Sequence, residues 1–266
     1  MAFGIIIIGD EILSGRRTDK HLAKIIELLG QRGLSLGWAE YIGDDPERII
    51  ATLRRSLASG DIVFSCGGIG ATPDDHTRQC AASALGVPLE LHADAKRLIQ
   101  ERIVEMAEGD LAKSALSSAE NLHRLKMGEF PAGARIIPNA YNKIPGFSLH
   151  GEHGGAHYFV PGFPVMAAPM MAWALDTYHA DLFHSVPHLE KSVIVYDGIE
   201  SKLTPLMETI ESEFAGVKVF SLPSVAEAGK RRQIELGVKG QPQTVELAYA
   251  RMLEGLSALG QEYAVS

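Results

Sequence analysis

The chain opens on an unbroken apolar run, Phe3 to Ile8, rich in β-branched residues and stopped at Gly9-Asp10. Such a run, bounded by a turn, predicts a strand buried on both faces. The period then changes. Leu22, Ile25, Ile26 and Leu29 fall at i, i+3, i+4 and i+7, the stripe of a helix, and Gly30 and Gly33 stop it. Leu34 to Ile42 predicts a second strand. Asp44-Asp45-Pro46 supplies a capping carboxylate and a proline for the first turn of a helix. That helix turns Ile49, Ile50, Leu53 and Leu57 to one side and ends at Gly60. Asp61 to Cys66 predicts a third buried strand. Thr77 to Leu85 predicts a helix closed by Gly86, followed by a short strand from Val87 to Leu91. A helix from Asp94 to Met106 would turn Ile99, Ile103 and Met106 inward.

Strands alternating with helices across short connections specify an α/β fold with a mostly parallel sheet and helices on both faces. Residues 108–160 break the rhythm with many Gly, Pro and Asn residues, and predict turns, a small hairpin and a returning strand. A helix follows from Pro164 to Tyr178, with Pro169 marking a kink or a late start. Periodicity lapses over 179–187. The tail then reads β-α-β-β-α: strands at Ser192 to Tyr196, Val217 to Leu222 and Gln233 to Val238, with helices carrying Leu203, Leu206, Met207, Ile210 and Phe214, then Val245, Ala248, Met252 and Leu256. The expected organisation is an α/β ligand-binding domain over 1–180 and a small α+β, KH-like domain over 188–266.

Composition narrows the function classes. Twenty-five Lys+Arg against 33 Asp+Glu leave a net charge of −8, which disfavours a nucleic-acid partner. Two cysteines, Cys66 and Cys80, are too few for a disulfide framework or a structural zinc site. The apolar opening is too short for a signal peptide or a membrane span. The expectation is a soluble, cytoplasmic protein with no membrane partner.

Three segments carry candidate chemistry, each where a strand ends, and open α/β sheets bind ligands beyond the carboxyl ends of their strands. The first holds Asp10, Glu11 and Ser14, in which Ser14 and nearby amides could donate to an oxyanion. The second runs Cys66-Gly67-Gly68-Ile69-Gly70-Ala71-Thr72-Pro73-Asp74-Asp75-His76-Thr77. Its glycines let backbone amides approach a phosphate, and a helix N-terminus adds its dipole. Asp74 and Asp75 could bind Mg²⁺, orient water or cap that helix. No Gly-Lys-Ser/Thr ending is present, so this is not a P-loop. The third holds Asn139, Lys143, Pro145 and Gly146, echoed by Pro161 and Gly162.

Taken in order, the Gly-Asp-Glu turn, the Gly67–Thr77 run and the Asn…Pro-Gly…Pro-Gly-x-Pro series resemble the molybdopterin-binding (MoaB/Mog-like) domain, in the version found at the N-terminus of CinA proteins. The tail is similar to the KH-type module that follows it there. The resemblance implies a three-layer α/β fold, a homo-oligomer, and a small-molecule ligand that is a phosphorylated pterin of the molybdopterin type or a nucleotide. It implies Gly67, Gly68, Gly70 and Thr72 as the phosphate cradle. Asp74 and Asp75 become the catalytic or water-orienting acids, with Asp75 on a divalent metal such as Mg²⁺. Asp10, Glu11, Ser14, Asn139, Lys143, Pro145, Gly146, Pro161 and Gly162 complete the ligand site. Two functions follow: a binding module, or a metal-dependent pyrophosphatase acting on ADP-ribose-type nucleotides. The nicotinamide-nucleotide deamidase activity of long CinA proteins is not expected of these residues. The chain also departs from the family pattern. Cys66 replaces Thr, Ala71 replaces Pro, Asn142-Lys143-Ile144 replaces Gly-Thr-Ala, and Thr18-Asp19-Lys20-His21 stands where the first helix usually has Asn. The added lysine implies more anionic charge on the ligand.

Other readings carry less. His150, His153 and His157 have loosely metal-like spacing but sit in a Gly-rich hairpin. His76 lies in the acidic loop as a possible general acid, although a surface position fits it better. Cys66 has no evident base partner and reads as a small buried residue. Lys230-Arg231-Arg232 reads as a charged turn or interface.

Overall fold

The computed structural model describes residues 1–266 apart from 152–154, 186–188, 225–230 and 266. The chain divides into two compact units, Met1–Phe183 and His184–Ser266.

The first unit begins β1 (Phe3–Ile8), α1 (Asp10–Leu13), α2 (His21–Gly30), β2 (Leu36–Ile42), α3 (Pro46–Ala58), β3 (Ile62–Cys66), α4 (Thr77–Leu85), β4 (Leu89–Leu91) and α5 (Ala93–Met106). It continues α6 (Leu111–Ser114), α7 (Ala119–Leu125), β5 (Glu129–Pro131), β6 (Arg135–Ile137), β7 (Gly146–His150), β8 (Ala156–Val160) and α8 (Pro164–Tyr178). Six strands form one sheet in the order β2-β1-β3-β8-β7-β6. The first four are mutually parallel, and β7 and β6 add an antiparallel edge.

Alternation along each strand feeds two cores. Ile5, Ile7, Phe64, Tyr158 and Val160 pack toward α2 and α8. Ile6, Ile8, Val63 and Phe159 pack toward α3 and α4. The fold expected from the sequence is therefore the fold observed. Register then places the site. Ile7 pairs with Cys66, Ile8 with Ile42 and Cys66 with Val160. The turns after β1, β3 and β8 consequently leave the sheet at one level.

Several local expectations need correction. Ile26 is 51% exposed. The buried stripe of α2 is His21, Ile25, Leu28 and Leu29, because a residue adjacent to Ile25 is rotated about 100° away from it. Met106 is also exposed, since α5 buries only Ala95, Ile99 and Ile103. The irregular middle holds the expected hairpin, β7–β8, and the returning strand β8, but also α7. That helix is capped by Ser118, whose side chain accepts the Asn121 amide at 3.2 Å. Pro169 does not delay α8, which runs continuously from Pro164.

The second unit reads β9 (Leu189–Tyr196), α9 (Glu200–Glu213), β10 (Lys218–Pro223), β11 (Gln233–Gly240), α10 (Pro242–Ala258) and β12 (Tyr263–Val265). Its antiparallel sheet has the order β10-β11-β9-β12. Val193, Val195, Leu203, Ile210, Leu236 and Met252 form its core. The edge strand β12 was not expected from the sequence. Lys230 lies outside the described residues. Arg231 is held by Asp197 at 2.9 Å and Glu262 at 2.8 Å.

Candidate functional site

The loop from Gly67 to His76 is shaped by contacts that only glycine permits. Gly67 and Gly68 have φ of +110° and +68°. A Cβ on Gly67 would lie 2.2 Å from the Ile8 carbonyl oxygen, and one on Gly68 would lie 2.1 Å from Thr77 Oγ1. The loop is thus pressed onto the end of β1 and the start of α4 in a conformation side chains disfavour.

Its carbonyls are tied back into the protein. Thr77 Oγ1 donates to Gly67 O at 3.0 Å, and the Thr77 amide donates to Gly68 O at 2.9 Å. Arg78 Nη2 donates to Gly70 O at 2.6 Å, and His123 Nε2 donates to Ala71 O at 2.7 Å. With the oxygens turned inward, the amides of Gly68, Ile69, Gly70 and Ala71 find no acceptor among the described residues. Successive unpartnered N–H groups make an anion-binding concavity. Arg78 is 4% exposed and also donates to Lys126 O. Burial lowers its pKa, while Asp75 and Glu129 oppose that shift. No motif marks Arg78, so sequence reasoning missed it.

Those amides open into a cleft of about 410 Å³. Of the residues named from the sequence, Glu11, Gly67, Gly68, Gly70, Thr72, Asp74, Asp75, Pro161 and Gly162 line it. Arg17, Asp44 and Phe163 line it as well and were not anticipated. Arg17 is exposed and lies 5.9 Å from the centre of the Phe163 ring. Burial pushes the Asp44 carboxyl above its usual range, and the nearby charges of Asp10, Glu11 and Asp74 push it the same way.

Other candidates lie elsewhere. Asp10 lashes the first turn to the β2–α3 loop: its amide donates to Asp44 Oδ2 at 2.9 Å, and its Oδ1 accepts the Asp44 amide at 3.3 Å. Ser14 is exposed at the end of α1, outside the cleft lining. Asn139 is buried and closes its own loop, donating to Asn142 Oδ1 at 2.8 Å and Ile144 O at 3.0 Å. Pro145 and Gly146 are buried; a Cβ on Gly146 would lie 2.3 Å from the Phe159 carbonyl oxygen. Lys143 corrects the expectation most clearly. Its ammonium pairs with Glu105 and, at 3.5 Å, with Glu101, and it lines a separate hollow beside α5. It is paired with these carboxylates and lies outside the lining of the glycine-loop cleft.

The acids do not assemble a metal centre. Asp75 Oδ2 accepts the Thr72 amide at 2.8 Å and the Thr72 hydroxyl at 2.5 Å, bracing the turn. Among the described residues no three His, Cys, Asp or Glu side chains converge on a metal-binding arrangement. The donor set does not fit a resident cation at Asp75. His76 stands at the start of α4 without a side-chain capping bond and outside the cleft lining. Burial pushes the Cys66 thiol up, away from nucleophilic character. His157 is buried with Nε2 2.8 Å from Ser65 Oγ, and His153 lies outside the described residues.

The first unit is an α/β domain with a glycine-rich loop where its parallel strands end, and the comparisons place it in a family. The profile described as "Probable molybdopterin binding domain" matches residues 4–180, and the chain belongs to that family. Protein Ta0487 of Thermoplasma acidophilum is 30% identical over 262 residues, covering 98% of this chain and 95% of its own. A CinA-like protein of Anaeromyxobacter sp. strain Fw109-5 is 33% identical over 161 residues, 60% of this chain and 37% of that protein. This chain therefore matches just over a third of that relative's length. The crystal structure of a CinA protein of unknown function from Thermoplasma acidophilum superposes with a TM-score of 0.55 at 26% identity, covering 65% of this chain and 96% of that one. The expected CinA-like membership of the family holds.

Proposed function

We propose that the cleft of the first unit binds a phosphorylated pterin of the molybdopterin type, with its phosphate seated on the amides of Gly68, Ile69, Gly70 and Ala71. The observation that carries this reading is the orientation of the loop: four oxygens tied back and four hydrogens left without partners. Charge-assisted bonds from amides to a phosphate are roughly twice as strong as neutral ones. Arg17 supplies the counter-charge that Lys143 does not. Phe163, 52% exposed at the rim, offers a flat face to a heterocycle. A nucleotide carries the same two groups and competes for the same surface.

The residues present hold and orient; they do not by themselves cleave. Asp74 acts as a wall of the cleft and Asp75 braces the turn through Thr72. The direct test is native mass spectrometry and calorimetry of the full chain with molybdopterin and its dephosphorylated form. One ligand per chain is expected, weakened about tenfold or more without the phosphate. Equal binding of the two forms, or none, would contradict the reading. Turnover of ADP-ribose with Mg²⁺, Mn²⁺ or Co²⁺, lost in Asp75→Asn, would replace it with hydrolysis.

A further inference from the structure

The cleft has a deeper neighbour that the phosphate reading does not use. A cavity of about 80 Å³ lies against it and shares Ile8, Glu11, Arg17, Gly162 and Phe163 with it. Its inner wall includes Thr18, His21 and Cys66.

His21 is 4% exposed, at the first turn of α2. Its Nδ1 lies 2.9 Å from Asp19 Oδ1. The same carboxylate accepts the amides of His21 at 2.8 Å and Leu22 at 3.1 Å, and the Tyr41 hydroxyl at 2.9 Å. Burial opposes ionisation of Asp19, yet these donors together hold its carboxyl below the usual range. An ionised carboxylate only accepts, so Nδ1 carries a hydrogen and donates it to Asp19. Nε2 is left as the uncommitted polar atom of the ring. It is buried and has no hydrogen-bond partner among the described residues. Burying such an atom unpaired is costly. The Cys66 thiol on the same wall stays neutral because burial pushes it up. Glu11 and Arg17 stand on the side the pocket shares with the cleft, and its inner wall carries one buried, uncommitted polar atom, His21 Nε2, beside the phosphate cradle.

We propose that this chamber is a second recognition point of the cleft, in which a hydroxyl carried by the phosphorylated ligand hydrogen-bonds His21 Nε2. Asp19 is the positioning residue that holds the ring through Nδ1. The inference rests on the phosphate reading and deepens it: the ligand is a phosphate ester with a hydroxyl group close to its phosphate. A phosphate ester without such a group leaves Nε2 unsatisfied.

The test compares methyl phosphate, which has no donor beyond the phosphate, with ribose 5-phosphate, in calorimetric titrations of the full chain. The wild-type chain should bind ribose 5-phosphate about fivefold more tightly, the value of one neutral hydrogen bond. In His21→Phe that ratio should fall to about one. His21→Gln, which keeps a hydrogen-bonding group, should retain part of it. The ¹⁵Nε2 resonance of His21 should move with ribose 5-phosphate and stay still with methyl phosphate, a response that a merely structural histidine would not give. A wild-type ratio near one, a ratio unchanged in His21→Phe, or a silent Nε2 resonance would overturn the chamber alone. Failure of both esters to bind would remove the phosphate reading and the chamber with it. If His21→Phe does not fold, His21→Gln and the wild-type resonance decide.

Discussion

At Gly68 two constraints coincide, a positive φ and a side-chain oxygen 2.1 Å from any added Cβ. The oxygen belongs to Thr77, which also ties down Gly67 O. Gly68→Ala must therefore twist the loop and break that tie. We expect a stability loss of about 1–3 kcal/mol, measured by urea unfolding, together with loss of phosphate binding. Asp44 presents the opposite case. Its charge is disfavoured by burial and by three neighbouring carboxylates, while its oxygen accepts the Asp10 amide. Asp44→Asn keeps an oxygen for that amide and removes the repulsion. A stability gain of about 0.5 kcal/mol is expected, about 1–2 °C in Tm by calorimetry. The glycines of the site were legible in the sequence because a strained, close-packed turn demands that residue type. Arg17, Asp44, Arg78 and His21 were not. Arg17 and Arg78 stand in no motif, Asp44 reads only as a helix-capping acid and His21 only as part of a segment departing from the family pattern, and packing alone sets what each touches. Lys143 was misread for the same reason. A loop lysine takes the nearest carboxylates, and α5 places Glu101 and Glu105 beside it.

Elements whose signals are local and redundant were readable in advance. β1 is one apolar run, and α3 announces itself with Asp45 and Pro46. Asp45 Oδ1 accepts the Arg48 amide at 2.8 Å, with Pro46 in the first turn. Asp45→Ala should cost about 1 kcal/mol, read from the unfolding midpoint. Because α3 packs on α4 through the core that also holds Ile8 and Ile69, the same variant should loosen the glycine loop, seen as faster amide exchange there. Elements with weak local signals were missed. β12 has three residues and no period to detect, and it exists because the edge of β9 accepts it. α7 has seven residues in a stretch broken by Gly and Pro, and its cap is a single serine.

Across the whole molecule, burial of histidines sets the response to acid. In the first unit, burial drives His157 down to about 3 and His179 down to about 4, from ordinary values of 6.5. His179 Nε2 is 2.8 Å from the Tyr158 hydroxyl. Both rings stay neutral in the fold, while the unfolded chain takes up protons below about pH 6.5. Their contribution to stability is complete above that pH and is lost as pH falls toward 4 and then 3, at up to about 1.4 kcal/mol per pH unit for each ring. Both tryptophans, Trp38 and Trp173, lie in the first unit. The tryptophan-monitored urea midpoint should therefore drop between pH 7.5 and pH 5, before most carboxylates titrate. A flat midpoint over that range would contradict it. The proposed binding depends on one arrangement, in which parallel strands of matched register deliver three turns to a common edge and one of them presents four amides without acceptors among the described residues. The most direct measurement is a ¹H–¹⁵N titration of the full chain with inorganic phosphate. The amide resonances of Gly68, Ile69, Gly70 and Ala71 should move together and saturate, while those around Lys143 and α5 stay in place. If those four remain still, or the largest shifts cluster around Lys143, the glycine loop is not the phosphate site.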